Sequence, residues 1–81
     1  MRILLFINDK KTIVSINEVR KPDFEDCLYL ESNKYLIKVE FLPKIDVNIW
    51  LEKLLKFGFL DLIENHKSLV HCGIDVIVKD K

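Results

Sequence analysis

The sequence contains no alanine and no glutamine, and it has only two glycines, two prolines and two cysteines in 81 residues. With Gly58 and Gly73 as its only glycines, it has no glycine-rich phosphate-binding loop. No apolar run approaches the roughly 20 residues of a membrane-spanning helix. Thirteen basic and thirteen acidic residues cancel, and the lysines are interleaved with acids, which argues against a nucleic-acid partner. The sequence therefore predicts neither a membrane nor a nucleic-acid partner.

Bulky apolar side chains are the main feature of what is present. The length predicts a single domain over residues 1–81. Because alanine is absent, almost every apolar position carries a large side chain. A small domain has a large surface for its volume, so we expect some of these side chains to lie outside the core. A contiguous patch of them usually marks an interface.

The N-terminal apolar run, residues 3–7, is shorter than the apolar segment of a secretory signal peptide, and charged residues follow it directly. We therefore expect a cytoplasmic protein in which Cys27 and Cys72 are free thiols. Eleven lysines, ten isoleucines and five asparagines are typical of an AT-rich genome. This composition suits a low-GC bacterium, its phages or its mobile elements.

Two β-hairpins are predicted in the N-terminal half. "RILLFI" is a continuous apolar run, and "TIVSINEV" is rich in β-branched residues, with the polar "NDKK" between them as a turn. "CLYLESNKYLIKVEFL" predicts a second hairpin that turns at Ser32 and Asn33. Its returning strand alternates apolar and polar residues, which is typical of a half-buried strand.

A helix is predicted over "DVNIWLEKLLKFGF", where the apolar period changes to about 3.6. Asp46 is a suitable N-cap, and Gly58 suits the left-handed position after the last turn. Trp50 is assigned to the core rather than to a ligand site because it lies on the apolar stripe. That predicted stripe consists of Val47, Trp50, Leu51, Leu54 and Leu55.

The C-terminal part begins with residues 59–64, which we assign to a short strand, with a helical turn as the alternative. "LVHCGIDVIVK" then predicts a strand with Val70, Cys72, Ile74, Val76 and Val78 on one face. This order of elements favours an α+β fold of two layers. The predicted antiparallel sheet has five or six strands from two N-terminal hairpins and a C-terminal strand or hairpin, with one helix packed on it. A small β-barrel with one helix is the alternative.

"HKSLVHCG" brings two histidines and a cysteine close together in sequence, but strand alternation separates them. His71 and Cys72 point to opposite faces, so they cannot ligate one ion or form a nucleophile and its base. His66, His71 and Asp75 remain the best candidates for metal ligands, although a zinc site needs further ligands and a recognised spacing. The sequence therefore predicts no metal site, no cofactor and no catalytic residue.

The sequence is compatible with three functions. The sequence favours a small non-enzymatic protein-binding module, such as an inhibitor, an immunity-type protein or a phage or mobile-element regulator. An oligomeric protein that binds a small ligand or nucleotide is the second hypothesis, and a small metal-dependent hydrolase using His66, His71 and Asp75 is the third. The predicted contact residues for a protein partner or a second subunit are Leu4 and Phe6 on the first strand, with the opposite face of that strand, Ile3, Leu5 and Ile7, as the alternative. Phe24 joins them as an aromatic in an acidic loop that either anchors the loop in the core or contacts a partner.

Overall fold

The computed structural model describes residues 1–42, 45–62 and 73–81. Within these residues the chain forms seven strands and one helix, which confirms the α+β class. The elements, in chain order, are β1 (Arg2–Ile7), β2 (Lys10–Ser15), β3 (Glu18–Arg20), β4 (Cys27–Glu31), β5 (Tyr35–Phe41), α1 (Val47–Phe57), β6 (Phe59–Asp61) and β7 (Ile74–Asp80).

The strands divide into two sheets where the sequence predicted one. A three-stranded sheet has the order β2–β1–β6, and a four-stranded sheet has the order β3–β4–β5–β7. Every pair is antiparallel except β1 and β6, which run parallel. Each sheet has two edge strands in the described part of the chain, so the closed-barrel alternative is wrong there.

The first hairpin turns through two residues with positive φ, Asn8 at 50° and Asp9 at 63°. Two consecutive positive φ values are the signature of a type I′ turn, whose twist matches that of the flanking strands. Asparagine and aspartate tolerate this backbone region better than other residues with a Cβ. The tight turn fixes the register by pairing Ile7 with Lys10.

The second hairpin depends on Ser32, which is buried although it is polar. Its hydroxyl donates to the Tyr35 carbonyl at 3.2 Å and accepts from the Tyr35 amide at 2.8 Å. The amide of Lys34 also lies 3.3 Å from the same oxygen. A buried hydroxyl with these partners avoids the free energy cost of an unsatisfied polar group. The prediction that this hairpin turns at Ser32 and Asn33 is therefore confirmed.

Both predicted caps of α1 are present. The Asp46 carboxylate accepts a hydrogen bond from the Asn48 amide at 2.9 Å. Gly58 adopts a left-handed φ of 67°, and its amide donates to the Leu54 carbonyl at 2.9 Å. β6 begins directly after this cap, which confirms a strand at Phe59–Asp61; residues 63 and 64 lie outside the described ranges.

Both sheets and the helix contribute to one hydrophobic core. From α1 the core receives Val47 and Leu54, while Leu51 and Trp50 pack against it half-buried. The prediction that Leu55 belongs to the buried stripe is wrong, because its side chain is 58% exposed. The buried apolar residues of this core are Ile3, Leu5, Val14, Ile16, Leu28, Leu30, Ile37, Val39, Phe41, Val47, Leu54, Leu60, Leu62 and Ile74.

The last strand alternates as predicted. Ile74 is buried, Val76 and Val78 are half-buried against the core, and Ile77 lies on the opposite, more exposed face. Val70 and Cys72, which were predicted to extend the apolar face, lie outside the described residues. Among the described residues, no helix is long and apolar enough to cross a lipid bilayer.

Candidate protein-interaction surfaces

The outer face of the three-stranded sheet carries two of the predicted contact residues. Successive side chains of a strand point to opposite faces. In β1, Ile3 and Leu5 point into the core and are buried, whereas Leu4 is half-buried and Phe6 is 40% exposed. Leu4 and Phe6 therefore share the outer face of the sheet, and the alternative that Ile3, Leu5 and Ile7 form the uncovered face is wrong because Ile3 and Leu5 are buried.

Ile13, which was not among the predicted contact residues, extends this face. It pairs directly with Leu4 across the β1–β2 hairpin, and its side chain is 59% exposed. Pairs directly opposite in a sheet have Cβ atoms about 5 Å apart, so the two side chains are neighbours. A two-residue turn at Asn8 and Asp9 fixes this register, and it was the available signal for Ile13. We call Leu4, Phe6 and Ile13 the N-terminal apolar patch.

Charged residues border the N-terminal apolar patch. Lys11 pairs with Phe6, and Arg2 precedes Leu4 on the same face of β1. The guanidinium of Arg2 lies 5.7 Å from the centre of the Phe59 ring. On the other side, Asp61 of β6 pairs with Leu4. An apolar centre with a charged border is the arrangement of a typical protein interface.

Phe24, the third predicted contact residue, is fully exposed at 101%. The interpretation that it anchors its loop in the core is therefore wrong. It lies between β3 and β4, two strands of the four-stranded sheet, whereas Leu4 and Phe6 belong to the other sheet. Leu4 and Phe6 are thus brought together by the fold, and Phe24 presents a separate exposed ring.

Glu25 ties the acidic loop to the start of β4. Its Oε2 accepts hydrogen bonds from the Tyr29 hydroxyl at 3.0 Å and the Cys27 thiol at 3.3 Å. These bonds, first that from Cys27, lower the pKa of Glu25. Burial and the bond to Glu25 raise the pKa of the Cys27 thiol, and the same carboxylate raises the pKa of Tyr29. A thiol held in its protonated form is a poor nucleophile, so this cluster stabilises the loop rather than activating Cys27.

We expect Glu25 to make the stability of the protein depend on pH. Because its pKa is lower in the folded state, its contribution is fully present above its unfolded pKa of about 4.3 and is lost as the pH falls through the folded value. In urea unfolding between pH 3 and 7, the free energy of unfolding should fall less steeply with decreasing pH for Glu25→Gln than for the wild type. Asp23→Asn, an exposed carboxylate of the same loop, is the control. Identical curves for the wild type and Glu25→Gln would contradict this role.

A groove of about 410 Å³ lies on the outer face of the four-stranded sheet. At its centre the Tyr29 ring lies between two cations, with Arg20 Cζ at 5.1 Å and Lys38 Nζ at 5.5 Å from the ring centre. Lys38 also forms an ion pair with Glu40 at 2.9 Å, which raises the pKa of Lys38 above its usual range. The groove is lined by Glu18, Arg20, Tyr29, Leu30, Glu31, Leu36, Ile37, Lys38, Ile77 and Lys79.

The residues of the alternative metal site are only partly described. Asp75 is exposed on β7, where it pairs with Glu40 of β5. His66 and His71 lie outside the described residues, as does Cys72. No group of three histidine, cysteine or carboxylate side chains in residues 1–42, 45–62 and 73–81 is arranged to hold a metal ion.

Comparisons with known proteins give no relative from which a role could be transferred. The chain matches no protein-family model, no curated protein and no solved structure. The two outer sheet faces described above are therefore the features on which a functional proposal rests.

Proposed function

We propose that this protein is a small, non-enzymatic binding module that acts by contacting a partner protein through the N-terminal apolar patch. The observation that carries the proposal is the direct pairing of Leu4 with the exposed Ile13, next to the exposed Phe6. A scattered exposed leucine needs no explanation, but a contiguous group of large apolar side chains on a sheet face is typical of an interaction site.

The charged residues that border the N-terminal apolar patch indicate which kind of partner would fit it. Arg2 and Lys11 lie on the same face as the patch, and Asp61 flanks Leu4. A partner with an apolar contact and acidic groups placed opposite Arg2 and Lys11 fits this surface, since opposite charges at a rim guide association. Small inhibitors, immunity-type proteins and regulators from phages or mobile elements act by contacts of this kind, and we propose this class.

Substituting Ile13 tests the proposed interface. A glutamate at an exposed position leaves the core intact, yet it places a charge in the centre of the apolar patch. We expect Ile13→Glu to weaken binding of the native partner at least about tenfold, as the loss of a central interface residue does. The measurement is quantitative mass spectrometry of proteins captured by tagged variants from the source organism, followed by titration of the purified partner.

The control for this experiment is Ile49→Glu. Ile49 is similarly exposed, at 51%, but lies on α1 rather than on the three-stranded sheet. If the wild type and Ile49→Glu bind the partner and Ile13→Glu does not, the result supports binding through the N-terminal apolar patch. A partner held equally by all three proteins would place the interface elsewhere.

A second candidate function is binding of a small ligand by an oligomer. It is supported by the groove around Tyr29, whose volume falls in the usual range of ligand sites, about 300–1,000 Å³. Arg20, which lies over the Tyr29 ring and forms no ion pair in the described residues, would favour an anionic ligand. Amide chemical shifts separate the two candidates, because a ligand in the groove perturbs residues around Tyr29 and a partner on the patch perturbs those around Ile13.

A further inference from the structure

The outer face of the four-stranded sheet carries an ordered row of side chains near its hairpin end. Strand pairing places Glu18, Glu31, Leu36 and Lys79 side by side, in this order, across β3, β4, β5 and β7. The row thus begins with an acid at one edge of the sheet and ends with a lysine at the other. Neighbouring strands are about 4.8 Å apart, so about 14 Å separates the two edges.

That separation is too large for Glu18 and Lys79 to pair within one chain. Among the other charges of this face in the described residues, Lys38 pairs with Glu40 and Lys81 pairs with Glu31. Arg20 lies over the Tyr29 ring and Asp75 lies beside Glu40, and neither forms an ion pair within the described residues. Neither Glu18 nor Lys79 forms an ion pair in that part of the chain. Within this row, an acid without an ion pair therefore lies at one edge of the sheet, and a lysine without an ion pair lies at the opposite edge.

The next row combines apolar, aromatic and cationic groups. Arg20, Tyr29, Lys38 and Ile77 lie side by side across the same four strands. Ile77 and Leu36 of the first row are both partly exposed apolar side chains. The groove between them offers space for side chains of a facing surface.

We propose that this face binds the same face of a second copy of the chain, around a two-fold axis that runs parallel to the strands between β4 and β5. Such a rotation exchanges β3 with β7 and β4 with β5 while keeping each row in place. Glu18 of each copy then faces Lys79 of the other, and Ile77 faces Arg20 of the other. The two end residues of the row thus complement each other across the interface, as contact between identical surfaces requires.

The charges near the axis are compatible with this packing. Lys38 of one copy faces Tyr29 of the other, and its charge is already matched by Glu40 within its own chain. Two sheets packed face to face lie about 10 Å apart, and side chains from both faces fill the space between them. In the proposed dimer, the space between the two sheets is filled by the side chains of Tyr29, Leu36 and Ile77 from both copies. The N-terminal apolar patch lies on the other sheet, so the dimer leaves it accessible and presents two copies of it.

Charge reversal at the two edges tests the dimer. The wild type should sediment as a dimer at low micromolar concentration. Glu18→Lys and Lys79→Glu should each raise the dissociation constant at least about tenfold, because either change places like charges opposite each other at both edges. The measurements are sedimentation equilibrium and light scattering, with circular dichroism to show that the variants are folded. Lys10→Glu, which reverses an exposed charge at the β1–β2 turn, should leave the dimer unchanged.

Mixing the two variants makes the test specific to the proposed axis. An equimolar mixture of Glu18→Lys and Lys79→Glu should form a heterodimer with restored affinity, because both edges again bring opposite charges together. The double variant carrying both changes should dimerise with itself. A monomeric wild type, a dimer that neither single reversal weakens, or a mixture that stays dissociated would each overturn the proposal. None of these results depends on the partner proposed for the N-terminal apolar patch.

Discussion

Replacing Leu54 by alanine should lower the free energy of unfolding by about 2–5 kcal/mol, the usual range for a buried leucine. Leu54 is 0% exposed and belongs to the core shared by the helix and both sheets. Removing three carbons there loses transfer free energy and leaves a cavity that the neighbours fill only in part. A small domain has only about 5–15 kcal/mol of stability, so the variant would lose a large part of it. Urea unfolding followed by circular dichroism measures the loss.

Leu55→Ala is the matched control, because it makes the same chemical change one residue further along the same helix. Leu55 is 58% exposed, so the change should stay within about 0.5 kcal/mol of the wild type. Both variants gain the same helix propensity from alanine, which cancels in the comparison. Equal losses for the two variants would show that α1 presents a different face to the core.

The elements that the sequence predicted correctly are those with local causes. The turn at Asn8 and Asp9 and the caps at Asp46 and Gly58 depend on residues within a few positions of each other. The alternation of β5 also has a local cause, because its period of two follows from the geometry of one strand. These signals were sufficient for the second hairpin, for the helix and for the α+β class. The first hairpin is correct only as far as Ser15, because the predicted strand "TIVSINEV" divides into β2 and β3, which belong to different sheets.

The division into two sheets has no such local cause. β6 pairs parallel with β1 although more than fifty residues separate them, and the choice depends on how both elements pack on the core. The exposure of Leu55 is likewise not determined by the sequence of the helix alone. Adjacent residues of a helix point about 100° apart, and only the position of α1 on the sheets decides whether Leu54, Leu55 or both are covered.

The residues of the candidate surfaces also divide into those that a local sequence pattern predicts and those that only the tertiary structure reveals. Alternation alone placed Leu4 and Phe6 on one face, whereas Ile13 was missed because the predicted turn "NDKK" included Lys10 and Lys11, which belong to β2. The exposure of Phe24 and the facing positions of Glu18 and Lys79 required the tertiary structure. A row of side chains across four strands is defined by strand order, which a single sequence does not specify.

Gly73 is the second position where one substitution should have a large effect. Its φ of 84° lies in a region that costs a residue with a Cβ about 1–2 kcal/mol. A Cβ added there would lie 2.1 Å from Leu42 Cδ1 and 2.9 Å from Leu42 Cβ. The exposed outer part of Leu42 can rotate away, but its Cβ is fixed by the backbone, which donates from the Leu42 amide to the Gly73 carbonyl at 2.8 Å. We therefore expect Gly73→Ala to cost about 2–5 kcal/mol, the sum of backbone strain and overpacking.

Two further variants separate the strain from the overpacking. Gly58 also has a left-handed φ, 67°, but a Cβ there meets nothing within 4 Å, so Gly58→Ala should cost only the backbone part, about 1–2 kcal/mol. Leu42→Gly removes all three contacting atoms, Cβ included, and in that background Gly73→Ala should cost nearly as little as Gly58→Ala. Thermal and urea unfolding of the four proteins gives the coupling between positions 42 and 73. If Gly73→Ala costs the same with and without the Leu42 side chain, the contact is not the cause, and backbone strain accounts for the whole loss.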